Sequence, residues 1–121
     1  MASYERSVKA DFAEFVAFVE NSVEDQSSSI SREYGRDFEI GGARARFSVF
    51  ERYSMVGGNR VSLSVLFVER DGYVDVTGVA SGGSQAVFWK INTIGEEGFL
   101  DTLREAVGRY TDYSSYQEEE I

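Results

Sequence analysis

The feature that most constrains this chain is the dipeptide Asp71-Gly72, set between two alternating runs, Arg60 to Arg70 and Tyr73 to Ala80. A two-residue type I′ turn needs positive φ at both central positions, and Asp-Gly is among the few pairs that meet that demand without strain. The pair predicts a tight antiparallel hairpin with Phe67 opposite Val76, Val65 opposite Gly78 and Leu63 opposite Ala80. Upstream, Gly41-Gly42 opens another alternating run, Ala43 to Ser54. Met55 to Asn59 then reads as a turn in which the glycines and Asn59 tolerate left-handed geometry. Centring that turn on Gly57 places Phe47 opposite Phe67, Val49 opposite Val65 and Glu51 opposite Leu63. Ile30 to Tyr34 reads as a further short strand.

The stretch SGGSQAVFWKINTIGEEGFL (81–100) joins this sheet to a helix. Ser81 to Ser84 reads as a loop, Ala86 to Ile91 as a last strand with Trp89 opposite Gly78, and Thr93 with Glu96 as a capping box. Phe99, Leu100, Leu103, Ala106, Val107 and Tyr110 then recur at helical spacing. Near the start, Tyr4 to Lys9 alternates, and Asp11 with Glu14 marks a helix beginning at about Phe12. Its apolar stripe is Phe12, Phe15, Val16, Val19 and Val23, with Phe18 off the stripe. The expected fold is α+β: an antiparallel meander of four to six strands with two amphipathic helices on one face, in the order strand, helix, four or five strands, helix. Residues 1–110 form one domain, and the acidic segment 111–121 is expected as a disordered tail.

Composition narrows the chemistry. The chain has no His and no Cys, which removes the usual base near neutral pH, the thiolate nucleophile and the usual zinc ligands. No metal or cofactor is expected. A net charge of −9 has the wrong sign for a nucleic-acid footprint. No apolar run approaches the length of a membrane span, and the first residues lack a signal-peptide core, so a cytoplasmic protein is expected.

In this registration the core-facing side of the sheet carries Phe47, Val49, Leu63, Val65, Phe67, Val74, Val76, Val87, Trp89 and Ile91. The opposite side places Phe50, Leu66, Val68, Val79 and Phe88 at an apolar centre ringed by Arg46, Arg52, Asp75 and Lys90. An apolar centre within a polar rim is how an interface is built, whereas a solvated face is polar along each strand. Glu51 is the one acid on core-facing parity in mid-strand; buried, it would be a weak candidate for acid–base work, and paired with an arginine such as Arg104 it would be structural. The Ser81–Ser84 loop followed by a helix start invites an anion-site reading. A whole strand between them, and Glu96 and Glu97 at the helix start, argue for a turn instead. Lys90 suits the guarding of an edge strand.

The strings ERYS (51–54), GGNRVSL (57–63), SGGSQAVF (81–88) and KINTIGEEGFL (90–100) resemble a family of small bacterial proteins of unknown function, over about Tyr4 to Val107. The resemblance implies a bacterial single domain and no activity, cofactor or catalytic residue. From the residues themselves the expected function is a non-enzymatic binding or self-assembling module, a homodimer or a protein partner engaging the sheet face through Phe50, Leu66, Val68, Val79, Phe88, Arg46, Arg52 and Lys90. The alternative is a small-molecule pocket between the sheet and the C-terminal helix, lined by Trp89 and Glu51.

Overall fold

The structure is a computed structural model that describes residues 1–54, 59–82 and 89–119. Its elements are β1 (Ala2–Lys9), α1 (Phe12–Asp25), β2 (Ile30–Ile40), β3 (Ala43–Ser54), β4 (Asn59–Arg70), β5 (Tyr73–Gly82) and α2 (Trp89–Glu119). The strands form one antiparallel sheet in the order β1-β5-β4-β3-β2. This is the expected α+β class and element order.

Local chemistry sets the boundaries. The Asp11 carboxylate accepts the Glu14 N–H at 3.0 Å, satisfying one of the free donors at the start of α1. The expected stripe of α1 is buried throughout, and Glu20 is buried with it. Asp71 and Gly72 have φ of 51° and 83°, as a type I′ turn requires, and the β4–β5 register follows as predicted. Gly41 and Gly42 have φ of 56° and 84° and join β2 to β3 in the same way.

Both helices pack on one sheet face. Phe15, Val19 and Val23 of α1 and Phe99, Leu100 and Leu103 of α2 are buried with Leu63, Val65, Phe67, Val74 and Val76. Each such side chain contributes about 1.5–3 kcal/mol of burial. Phe18, off the stripe, packs on Tyr110 and Tyr113 with ring centroids 5.4 and 5.7 Å away.

Four expectations are corrected. First, β3 pairs with β4 one residue out of the predicted register: Ser48 faces Val65, Phe50 faces Leu63 and Arg52 faces Val61. The ladder pairs Ser54 with Asn59, whereas a turn centred on Gly57 would set Ser54 opposite Arg60. A one-residue slip turns every β3 side chain to the other face. Second, Trp89 to Ile91 begin α2, so no strand pairs there with β5; β1 takes that place, with Tyr4 opposite Gly78. The room above Gly78 is filled by Leu103, which a Cβ at residue 78 would strike. Residues 83–88, including Val87 and Phe88, lie outside the described residues. Third, Thr93 is inside α2 and does not cap it. Fourth, residues 111–119, expected as a disordered tail, continue α2, and Tyr113 extends the contact with α1 by a turn.

Candidate functional site

The sheet face away from the helices carries no covering element among the described residues. Directly paired residues share a face, so the ladders define its rows. The middle row runs Arg36–Phe47–Leu66–Thr77–Glu5 across β2, β3, β4, β5 and β1. One row away lies Tyr34–Val49–Ser64–Val79–Ser3, and on the other side Phe38–Ala45–Val68–Asp75–Ser7. Phe47, Val49, Leu66, Val68 and Val79 are partly exposed, and Tyr34 is about half exposed at 48%. They form an apolar centre. Its rim is charged: Arg36 and Glu5 are exposed at the two edges, Arg70 bonds Asp75 at 2.8 Å, and Arg60 bonds Glu51 at 2.8 Å. The guanidinium of Arg70, with the Ser7 hydroxyl, holds the Asp75 carboxyl below the usual carboxylate range. Beside this rim a cleft of about 520 Å³, open to solvent, is lined by Glu5, Arg6, Ser7, Arg70, Asp75 and Thr77.

The structure distributes the predicted site residues over both faces. Leu66, Val68 and Val79 stand on the uncovered face as expected. Phe50 does not: the register slip turns it into the core, where it is 1% exposed. Arg46 and Arg52 move with it. Arg52 lies under α2, donating to the Gly95 carbonyl at 3.1 Å with its guanidinium 4.8 Å from the Phe99 ring centroid, and burial lowers its pKa. Glu51 goes the other way, to the uncovered face beside Ser62, and so does not line the layer between the sheet and α2. Lys90 lies in the first turn of α2 rather than on an edge strand, and Phe88 lies outside the described residues. In exchange the slip brings Phe47 and Val49 to the uncovered face, and the length of β2 adds Tyr34, Arg36 and Phe38. Sequence reasoning missed these because this strand is expected to end at Tyr34 and Gly41-Gly42 is taken only as the opening of the next run, whereas the pair also ends β2.

A second cluster lies beneath the helices. Glu20 of α1 is 3% exposed, with Oε2 accepting from Arg46 Nε at 2.7 Å and from the Ser48 hydroxyl, and Oε1 3.1 Å from Arg32 Nη1. Arg46 also reaches Asp37 at 3.2 Å, and Arg32 pairs with Glu24. The hydrogen bond to Glu20, with the charges of Glu20 and Asp37, raises the Arg46 pKa. Glu20 thus has two partners on Oε2 and one on Oε1, and the cluster fastens α1 to β2 and β3. Glu20 stands four residues after Val16 and three before Val23, on the apolar stripe, and that position is the signal that it is buried.

Among the described residues no group of three acids could hold a metal ion, and no helix is long and apolar enough to cross a membrane. A solved structure of a Pseudomonas aeruginosa protein of unknown function aligns with a TM-score of 0.49 and 18% identity, over 65% of this chain and 67% of that one. No curated protein matches the chain. The model of a family of unknown function, DUF6054, matches residues 1–111, so the chain belongs to that family.

Proposed function

We propose that this member of DUF6054 is a non-enzymatic binding or self-assembling module whose working surface is the uncovered sheet face. The observation that supports this reading is the asymmetry of the sheet: one face lies under both helices, yet the other still carries Phe47, Val49, Leu66, Val68 and Val79 at its centre. A face that meets only water gains just the cross-strand pairing of those residues, whereas an interface adds about 25 cal/mol per Å² of apolar surface removed from water. The charged rim supplies orientation and solubility, as rims of protein interfaces do.

Native mass spectrometry and sedimentation velocity on the full chain test the reading. The expected result is an assembly that Leu66→Asp abolishes while the far-UV circular dichroism stays unchanged. An assembly indifferent to Leu66→Asp, or a monomer carrying the extra mass of a retained small molecule, refutes it.

A further inference from the structure

The uncovered face is graded across its width. Its bulky side chains, Tyr34, Phe38 and Phe47, stand on β2 and β3, and its small ones, Ser3, Ser7 and Thr77, stand in the same rows on β1 and β5. Charge follows the same gradient, with Arg36 at the β2 edge and Glu5 at the β1 edge of the middle row. Neither makes an ion pair among the described residues, and the Arg36 guanidinium is held on this face, 5.7 Å from the Phe38 ring centroid. The two lie four strand spacings apart, roughly 19 Å, so they cannot meet within one chain.

Two sheets can stack face to face about a two-fold axis in either of two simple ways. An axis perpendicular to the strands lays β2 over β2, which sets bulk on bulk and Arg36 near Arg36. An axis along β4 inverts the width of the sheet and keeps each row in place. It sets Tyr34 over Ser3, Phe47 over Thr77, Val49 over Val79 and Leu66 over its own copy. Each row then gains a pairing of large on small, Tyr34 on Ser3, Phe47 on Thr77 and Phe38 on Ser7, which favours dense packing. Arg36 of each copy also falls beside Glu5 of the other. The inclination of up to about 30° between packed sheets shifts the outer rows by only a residue or two, within the reach of long side chains. Five strands about eight residues long present roughly 600–700 Å² per copy, close to the roughly 800 Å² per partner of a standard interface.

We infer that the partner of the uncovered face is a second copy of this chain, stacked about a two-fold axis along β4 with Arg36 of one copy paired to Glu5 of the other. This rests on the sheet-face reading above and adds the occupant and its orientation.

The test is sedimentation velocity of the full chain from 1 to about 300 μM, on the wild type, Leu66→Asp, Arg36→Glu, Glu5→Arg, and an equimolar mixture of the last two. Each charge reversal replaces two attractions by two repulsions, so each alone raises the dimer Kd about tenfold or more. In the mixture both contacts become attractive again, and dimer reappears at near wild-type concentrations. Arg36 and Glu5 are exposed at sheet edges, so the reversals leave the fold intact, which circular dichroism checks. A dimer lost in Leu66→Asp but indifferent to both reversals overturns the pairing and leaves the sheet-face reading standing. A dimer indifferent to Leu66→Asp overturns both. A wild type that stays monomeric to 300 μM overturns the inference of a second copy.

Discussion

Replacing Arg46 by Met should destabilise the fold by about 2–3 kcal/mol, because it leaves the Glu20 carboxylate buried with less positive charge than it needs. At an effective dielectric constant near 20, one close ion pair is worth about 4 kcal/mol. Glu20 retains Arg32 at 3.1 Å and the Ser48 hydroxyl, which recovers part of that loss. Arg32 is itself about a third exposed, so its compensation is screened. In a chain of 121 residues the loss corresponds to a fall in Tm of about 10 °C. Glu20→Leu alone should cost less, about 1–2 kcal/mol, because Arg46 keeps Asp37 and some contact with solvent.

The informative variant is the double Glu20→Leu/Arg46→Met. If the two groups stabilise chiefly by satisfying one another, the double loses only about 1 kcal/mol, much of it from the Ser48 hydroxyl left without its acceptor. Adding Ser48→Ala should recover that remainder. Urea unfolding followed at 222 nm gives all four stabilities, with equal m-values as the check that the same transition is compared. A double variant that loses the sum of the two single losses would refute the argument, since independent sites add and coupled ones do not.

Three further outcomes follow from single contacts. Gly78→Ala should lose about 1–3 kcal/mol in the same unfolding assay, because its Cβ collides with Leu103 and the core cannot open without shifting α2. Arg52→Ala should lose about 1–2 kcal/mol by removing the bond to the Gly95 carbonyl and the stacking on Phe99, and Arg52→Lys should recover less than half, since an ammonium cannot do both. For Asp75 the folded pKa lies below its ordinary 3.8, so its contribution is present above that value and is lost as pH falls toward the folded pKa. The side chain is about a third exposed, so Asp75→Asn should cost only a few tenths of a kcal/mol at pH 7, a difference that shrinks in unfolding curves as the pH falls below 3.8.

The β4–β5 hairpin was legible because its turn admits one geometry: Asp71-Gly72 can be centred in only one way, and the ladder follows. The β3–β4 connection carries Gly57, Gly58 and Asn59 together, and residues of that kind permit several centres. The run VFW at 87–89 was equally ambiguous, since a short apolar run suits a strand or a helix start alike. Its helical outcome from Trp89 follows once β1 occupies the edge of β5, because no free ladder remains there for it. The uncovered face was therefore half legible: β4 and β5 contributed the expected Leu66, Val68 and Val79, while the contributions of β3 were inverted.

That inversion has a physical cause. The described residues of β3 that face the helices are Arg44, Arg46, Ser48, Phe50 and Arg52, four of them polar, and alternation alone assigns such a strand to solvent. What makes the polar side the inner one is Glu20, 26 residues earlier on the other side of the core. Its place on the stripe of α1 buries a carboxylate, and a buried carboxylate without partners costs several kcal/mol. Of the two registers, only the one that pairs Ser48 with Val65 brings Arg46 and Ser48 under it. The other leaves Glu20 against Phe47 and Val49 and sends both polar groups to the opposite face. The acid on the helix therefore selects the register of the strand, and with it the identity of the apolar residues left on the uncovered side.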